Sequence, residues 1–268
     1  MGTSTSSSGA PSGVSFDPPW LSSVAGAIEP SVSVAEVSVA LAPQARFKEA
    51  RLNLYRYLSY GRTKDLKKSV SHYVNKGLGG ARHATSRMRV PIAASVAMWS
   101  ALQDFIDRET EKHDEWIDRV INSDDRLLAL QRELAKKIVP DGGIIDEETC
   151  RESLAYALSE FQRENPEIDI AEINEESIFV ILELFFAREV FCRYLLDVGQ
   201  KIEGMEASKM VLVEKEIKQY IRASLTVKFR TISRRGARYS KVEMSSIVTS
   251  VLQETFVVFG NFEDEEGY

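Results

Sequence analysis

Few residues in this chain combine the type and the spacing that chemistry requires. Glu109 and His113 stand one helical turn apart with Asp114 and Glu115 alongside, loosely the donor set of a metal site. No His-Glu-x-x-His surrounds them, and a solvated, charged helix face accounts for the same residues. The run Gly77-Leu78-Gly79-Gly80-Ala81 follows a helical pattern, not a strand, and lacks a following Gly-Lys-Ser/Thr. It therefore reads as a turn and not as a phosphate cradle. The acidic pairs Glu147/Glu148 and Glu175/Glu176 fall in first turns of predicted helices, where the helix dipole stabilises them. Cys150 and Cys192 are 42 residues apart without a Cys-x-x-Cys pattern and read as reduced thiols. No Gly-x-Ser-x-Gly elbow or cysteine–histidine nucleophile arrangement occurs. The expectation is a substrate or adaptor, not an enzyme, with no metal and no cofactor of its own.

Charge is the stronger signal. Residues 1–45 carry three acids and no Lys or Arg, whereas residues 46–90 hold twelve Lys or Arg against Glu49 and Asp65, a balance of +10. The remainder stands at −13, bringing the whole chain to −6. Such segregation suggests a basic contact surface on an acidic protein. Its candidate residues are Arg56, Arg62, Lys64, Lys67, Lys68, Lys76 and Arg82, with Tyr55, Tyr57, Tyr60 and Tyr73 interleaved. Three readings stay open: a phosphate-backbone track with tyrosines for stacking, a dock for an acidic protein, or amphipathic helices whose cations face water.

The first eight residues, Met1-Gly2-Thr3-Ser4-Thr5-Ser6-Ser7-Ser8, are small and uncharged, and Gly2 becomes the terminus once Met1 is trimmed. Residues 1–45 show almost no charge and no sustained period, so a disordered tail is expected. Ser31–Leu41 alternates valine with small or polar residues but has no evident partner strand. Pro18-Pro19-Trp20-Leu21 stands out as a docking peptide or a peg pinning the tail to the body. As a flexible coil, the tail spans roughly 35–40 Å end to end. Met-Gly-x-x-x-Ser, with Ser6 in place, also fits N-myristoylation. That route needs a second membrane signal, and the basic stretch begins only at Arg46. There is no Lys or Arg before Arg46 and no apolar h-region, which argues against a secretory signal. Five charges interrupt Ile178–Val198, the most apolar run, which argues against a membrane span. A cytoplasmic protein without a membrane partner is expected.

The elements that position these residues read as helices. Apolar spacing predicts Arg46–Tyr60, with Phe47, Leu54, Tyr57 and Leu58 inward, and Lys64–Lys76 capped by Thr63, with Leu66, Val70, Tyr73 and Val74 inward. A third basic piece covers Ala81–Arg89, and a helix from Pro91 through Ile106 follows, extending toward Val120. Asp124–Val139 comes next, then Glu147–Glu164 capped by Asp146. Asn174 caps Glu175–Glu203, apolar on most sides and suited to the middle of a bundle. Lys209–Ser233 and Ser240–Phe259 complete the set, the latter with Val242, Ile247, Val251 and Phe256 inward. The fold class is all-α: a multi-helix bundle preceded by a long disordered N-terminal tail. Its divisions are a tail (1–45), a basic helical segment (46–90) and a helical bundle (91–268).

Several stretches together resemble the QatB family of the bacterial QatABCD anti-phage system. They are the Met1–Ser6 start, Pro18-Pro19-Trp20, and Asp65–Ala81 with its His72-Tyr73-Val74 and Gly77–Ala81. Phe191–Ile202 around Leu196-Asp197-Val198-Gly199 and Leu252–Phe259 continue the likeness. The early tail departs from the family's Gly-Pro richness, with only a diluted Gly9-Ala10-Pro11-Ser12-Gly13. The resemblance implies a partner, QatC, similar to the ATP-dependent enzyme QueC, which adenylates the carboxylate of a 7-deazaguanine. It implies further that the Gly2 amine is the nucleophile attached to that deazaguanine. Thr3, Ser4, Thr5, Ser6, Pro18, Pro19 and Trp20 would then be the part of the tail the partner recognises. Other subunits implied are an ATPase, QatA, and a TatD-like nuclease, QatD. A nucleic-acid-binding adaptor using residues 46–90 is the alternative.

Overall fold

The computed structural model describes residues 45–108, 114–138, 145–199, 207–233 and 239–261. Gly2 through Ser6, Pro18-Pro19-Trp20, the Ser31–Leu41 stretch and the Glu109/His113 pair lie outside the described residues. Ten α-helices and no strand occur among them.

Among the described residues the first core side chain is Phe47, which packs on Tyr73 with ring centroids 5.6 Å apart. Helix α1 (Lys48–Tyr60) buries Ala50, Leu54 and Tyr57, while Leu58 is only half-buried. Gly61 ends it, its N–H on the Tyr57 carbonyl. Helix α2 (Thr63–His72) returns along α1 and buries Leu66 and Val70; Tyr73 and Val74 are also buried. Thr63 is not its cap. Arg62 takes that place, extended and without a side-chain cap bond, and Thr63 is the first helical residue. The predicted continuation to Lys76 is instead a π-helical turn, Tyr73–Gly77.

Helix α3 (Ala81–Ser86) is short, and α4 (Arg89–Ile106) begins two residues before Pro91, so the proline sits in the first turn, where its missing N–H costs no bond. Twelve of the eighteen residues of α4 are buried. Helix α5 (Glu115–Ile121) is separate from α4 and is pinned to it by the stacked Phe105–Trp116 pair, 5.8 Å apart. Helices α6 (Arg126–Ile138) and α7 (Ile145–Glu164) follow; α7 starts ahead of Asp146, which is therefore not a cap.

Helix α8 (Glu175–Val198) is the centre of the bundle. Asn174 caps it as predicted, its Oδ1 accepting from the Ser177 N–H at 3.0 Å in a capping box with Ser177. Packed by α7, by α9 (Ala207–Ser233), by α4 and by α1, it buries most of its circumference, including Phe185, Phe186 and Phe191. Each such phenyl contributes roughly 1.5–3 kcal/mol relative to exposure. The described helix ends at Val198 with Gly199 as its C-cap, its N–H still on the Leu195 carbonyl; the predicted end at Glu203 lies outside the described residues. Helix α10 (Lys241–Gly260) carries a second capping box, Ser240 with Glu243, and lies against α2, α3, α4 and α9. Val251 and Phe256 face inward as expected, Ile247 is half-buried, and Val242 in the first turn is 51% exposed, against expectation. Among the described helices, α10 and not α8 has the length and composition that would suit a membrane, and its Met244, Val248, Leu252 and Phe259 are spent on the bundle core.

Candidate functional site

Stretches far apart in the chain converge at the C-terminal end of α8. The Tyr73 hydroxyl donates to Asp197 Oδ2 at 3.0 Å, and Arg87 approaches the same carboxylate at 3.6 Å. Arg51 donates to the Asp197 backbone carbonyl through Nη2 at 2.8 Å and Nε at 3.3 Å. The last carbonyls of a helix have no intrahelical partner and carry the negative end of its dipole, so two guanidiniums there are favourable twice over. Burial, with the Asp197 charge second, pushes the Tyr73 phenol far above its usual value. A pocket of about 90 Å³ lies beside this junction, with Leu78, Arg193 and Phe256 also in its lining. That is small against the ~300 Å³ of ordinary small-molecule sites. The junction acts as a clamp, tying the start of α1 through Phe47 and Tyr73 to α8.

The glycine turn serves the same junction. A Cβ on Gly77 would stand 2.5 Å from the Phe47 ring, so only glycine lets that ring seat. Gly79 and Gly80 hold φ of 81° and 98°, the region that favours glycine. The amides of Leu78 and Gly80 donate to the carbonyls of Tyr73 and Val74, so they are committed to the turn and not presented to a phosphate. Asn75 Nδ2 and Ser71 Oγ donate to the Gly260 carbonyl at 2.7 and 3.1 Å and fasten the end of α10 to this region.

The basic candidates are spread over five successive pieces. Arg56 is exposed on α1, Arg62 in the following turn, Lys76 in the π-helical turn and Arg82 on α3. Lys64, Lys67 and Lys68 share one side of α2, the first exposed and the other two half-buried. Arg62 is drawn to Asp65 at 2.8 Å and lies over the Tyr60 ring. Two of the four interleaved tyrosines are not available for stacking. Tyr57 is buried with its hydroxyl on Glu216 of α9, and Tyr73 is buried on Asp197; their helical phase turns both toward the core. Tyr55 and Tyr60 remain exposed.

Sequence reasoning placed Asp197 within a distinctive stretch but assigned it no partner. It used the charges of α8 only to argue against a membrane span. In the structure Glu189 is fully buried, and Arg193, one turn on and 3.7 Å away, lines the pocket beside Asp197. The four-residue steps Glu189–Arg193–Asp197 were the available signal. No group of three or more His, Cys, Asp or Glu residues positioned to hold a metal ion occurs among the described residues.

The sequence model of a family described as QatB, Qat anti-phage system associated protein QatB, matches residues 79–259. The match runs from the glycine turn to the last turn of α10, about two thirds of the chain, and leaves Gly2 and most of the basic segment outside it. Comparison with curated proteins finds no match, and neither does comparison with solved structures.

Proposed function

This chain belongs to the QatB family and is a component of a Qat anti-phage system that works with other subunits of that system, and from that premise we propose that its Gly2 amine is the substrate of a QueC-like partner enzyme, QatC. The partner uses ATP to convert the carboxylate of a 7-deazaguanine to an acyl adenylate, releasing pyrophosphate. The neutral Gly2 amine attacks the acyl carbon, the C–O bond to AMP breaks, and the amine gives up a proton as the amide forms. An α-amine with a pKa near ~8 has a usable neutral fraction at cellular pH, unlike a lysine near ~10.4. Glycine puts no side chain in the path of attack. Extended, Thr3–Ser8 would pass about 20 Å of narrow channel.

The observation that carries the reading is family membership joined to a penultimate glycine that lies forty-five positions ahead of Phe47, the first core side chain among the described residues. In this reading the helical body is non-enzymatic, cytoplasmic and without its own cofactor; it presents the tail and binds other subunits, with the ATPase QatA and the TatD-like nuclease QatD as candidates. The test is intact mass after incubation with the QatC-like partner, ATP and a deazaguanine carboxylate. A gain equal to the acid less one water, absent from a variant that retains Met1, supports conjugation; an unchanged mass refutes it.

Exposed Tyr55 and Tyr60 beside Arg56 and Arg62 favour a second reading, an adaptor that binds single-stranded nucleic acid. It requires a steep salt dependence that flattens when Lys64, Lys67 and Lys68 become Ala. Salt-independent or absent binding removes it.

A further inference from the structure

Helices α7, α8 and α9 enclose a partly open groove of about 420 Å³, within the range of small-molecule sites. Its charged lining sets five cations, Arg163, Arg188, Lys215, Lys218 and Arg222, against three carboxylates, Glu160, Glu164 and Glu214. Carboxylates account for three of the cations. Arg163 pairs with Glu160 at 2.6 Å, Arg222 with Glu164 and Glu183 at 2.5 and 2.8 Å, and Lys218 with Glu214, one turn away, at 3.6 Å. Arg188 differs. Among the described residues it has no carboxylate partner, and its Nε is buried without a hydrogen bond.

What holds Arg188 is aromatic. Its guanidinium carbon lies 5.2 Å from the Tyr156 ring and 5.7 Å from Phe191, and Lys218 Nζ lies 5.2 and 4.8 Å from the same two rings. Two positive charges are thus seated on one pair of rings; Lys218 is partly balanced by Glu214 at 3.6 Å, whereas the rings fix Arg188 without neutralising it. A buried N–H with no acceptor is costly to keep, and an anion arriving at this point would relieve both the missing bond and the repulsion. A guanidinium offers parallel donors matched to phosphate oxygens, and an ammonium adds a point charge. Leu184, Ala187 and Val211 supply apolar lining for the rest of a ligand. Burial raises the Tyr156 phenol, so its hydroxyl remains a neutral donor beside the same space.

We propose that this groove binds a small phosphate-bearing ligand, up to nucleotide size, with its phosphate between Arg188 and Lys218. The site lies wholly within residues 79–259 and uses neither the tail nor the basic segment, so it is independent of the conjugation reading.

The experiment titrates the full chain with sodium phosphate, sodium pyrophosphate and ATP, separately, by calorimetry and thermal shift. Saturable binding of at least one probe, weakened about tenfold or more by Lys215→Gln/Lys218→Gln, supports the site. Lys64→Gln/Lys68→Gln is expected to leave that binding unchanged. Pyrophosphate binding without ATP binding assigns the seat to free phosphates, and ATP binding well above pyrophosphate assigns it to nucleotides. Arg188→Gln is the sharper variant, checked for folding by circular dichroism; the lysine pair lies on the more exposed side and keeps the test open should Arg188→Gln fail to fold. Equal binding by wild type and the lysine variant, or no binding of any probe up to about 10 mM, overturns the proposal.

Discussion

Breaking the Tyr73–Asp197 bond tests whether the end of α8 is clamped as the structure has it. The Tyr73 hydroxyl is buried and bonded to a carboxylate that is 18% exposed and has Arg87 near it. Tyr73→Phe removes one charge-assisted bond but leaves Asp197 with Arg87 and some water, so its cost should be about 1–1.5 kcal/mol. Asp197→Ala strands the buried hydroxyl, costing about 1–3 kcal/mol, and loses a half-exposed ion pair worth at most about 1 kcal/mol. Two effects oppose that loss. Alanine is the better helix former by about 0.5 kcal/mol, and an acid in the last turn faces the negative end of the dipole. The net for Asp197→Ala is about 2 kcal/mol, or a fall in Tm of about 4–6 °C for a chain of this size. Because both variants remove the same bond and Tyr73→Phe also removes the stranded hydroxyl, the double variant should cost no more than Asp197→Ala alone, leaving a coupling of at least about 1 kcal/mol. Urea unfolding of the four proteins, followed by circular dichroism, measures this directly. Additivity within about 0.3 kcal/mol would refute the clamp.

Three further outcomes are expected. Burial raises the phenols of Tyr73 and Tyr194, so their contribution is complete below the unfolded value near ~10. It is lost as pH rises beyond that, by up to about 1.4 kcal/mol per pH unit for each. Urea midpoints from pH 8 to 11 should fall, and fall less steeply in Tyr73→Phe; a flat wild-type profile contradicts this. Hydrogen bonds from Arg119 and then Lys136 hold Glu133 down to about 2, so its stabilisation is present above about 4.5 and disappears as pH drops toward 2. With Arg119 largely exposed, Glu133→Gln should cost only about 1–2 kcal/mol at neutral pH and nothing near pH 2, read from paired acid titrations of stability. Gly77→Val forces a side chain into the Phe47 ring and should cost about 1–3 kcal/mol, part of which Phe47→Ala restores; an unchanged Tm in Gly77→Val would show that the ring is not seated there.

The helices were legible because their apolar spacing is regular and Asn174 is a strong cap; Ser240, which reads as the first residue of the last helix, is in fact its cap. The all-round apolarity of α8 gave away its central place. Less local features stayed hidden. Tyr57 and Tyr73 belong to the same apolar faces that define α1 and α2, yet as tyrosines they also suited a stacking surface; only the packing, with Glu216 and Asp197 waiting opposite, settles the choice. Part of the basic excess of residues 46–90 is consumed at home, since Arg51 and Arg87 serve the end of α8 more than 100 residues away, a relation no short-range pattern encodes. Val242 reads as inward on its apolarity, but it stands two residues, about 200° of helical turn, from buried Met244 and remains 51% exposed. The groove around Arg188 was invisible for the same reason as the clamp: its rings and cations come from three helices and have no common spacing in the chain.

The most direct test of the conjugation account is the mass of the N-terminal peptide of this protein, isolated from cells that express the whole Qat system. The account predicts a peptide beginning at Gly2, without Met1, heavier by a deazaguanine acyl group placed on the α-amine by fragmentation. An N-terminal peptide bearing no such group while the cells remain protected from phage would contradict it.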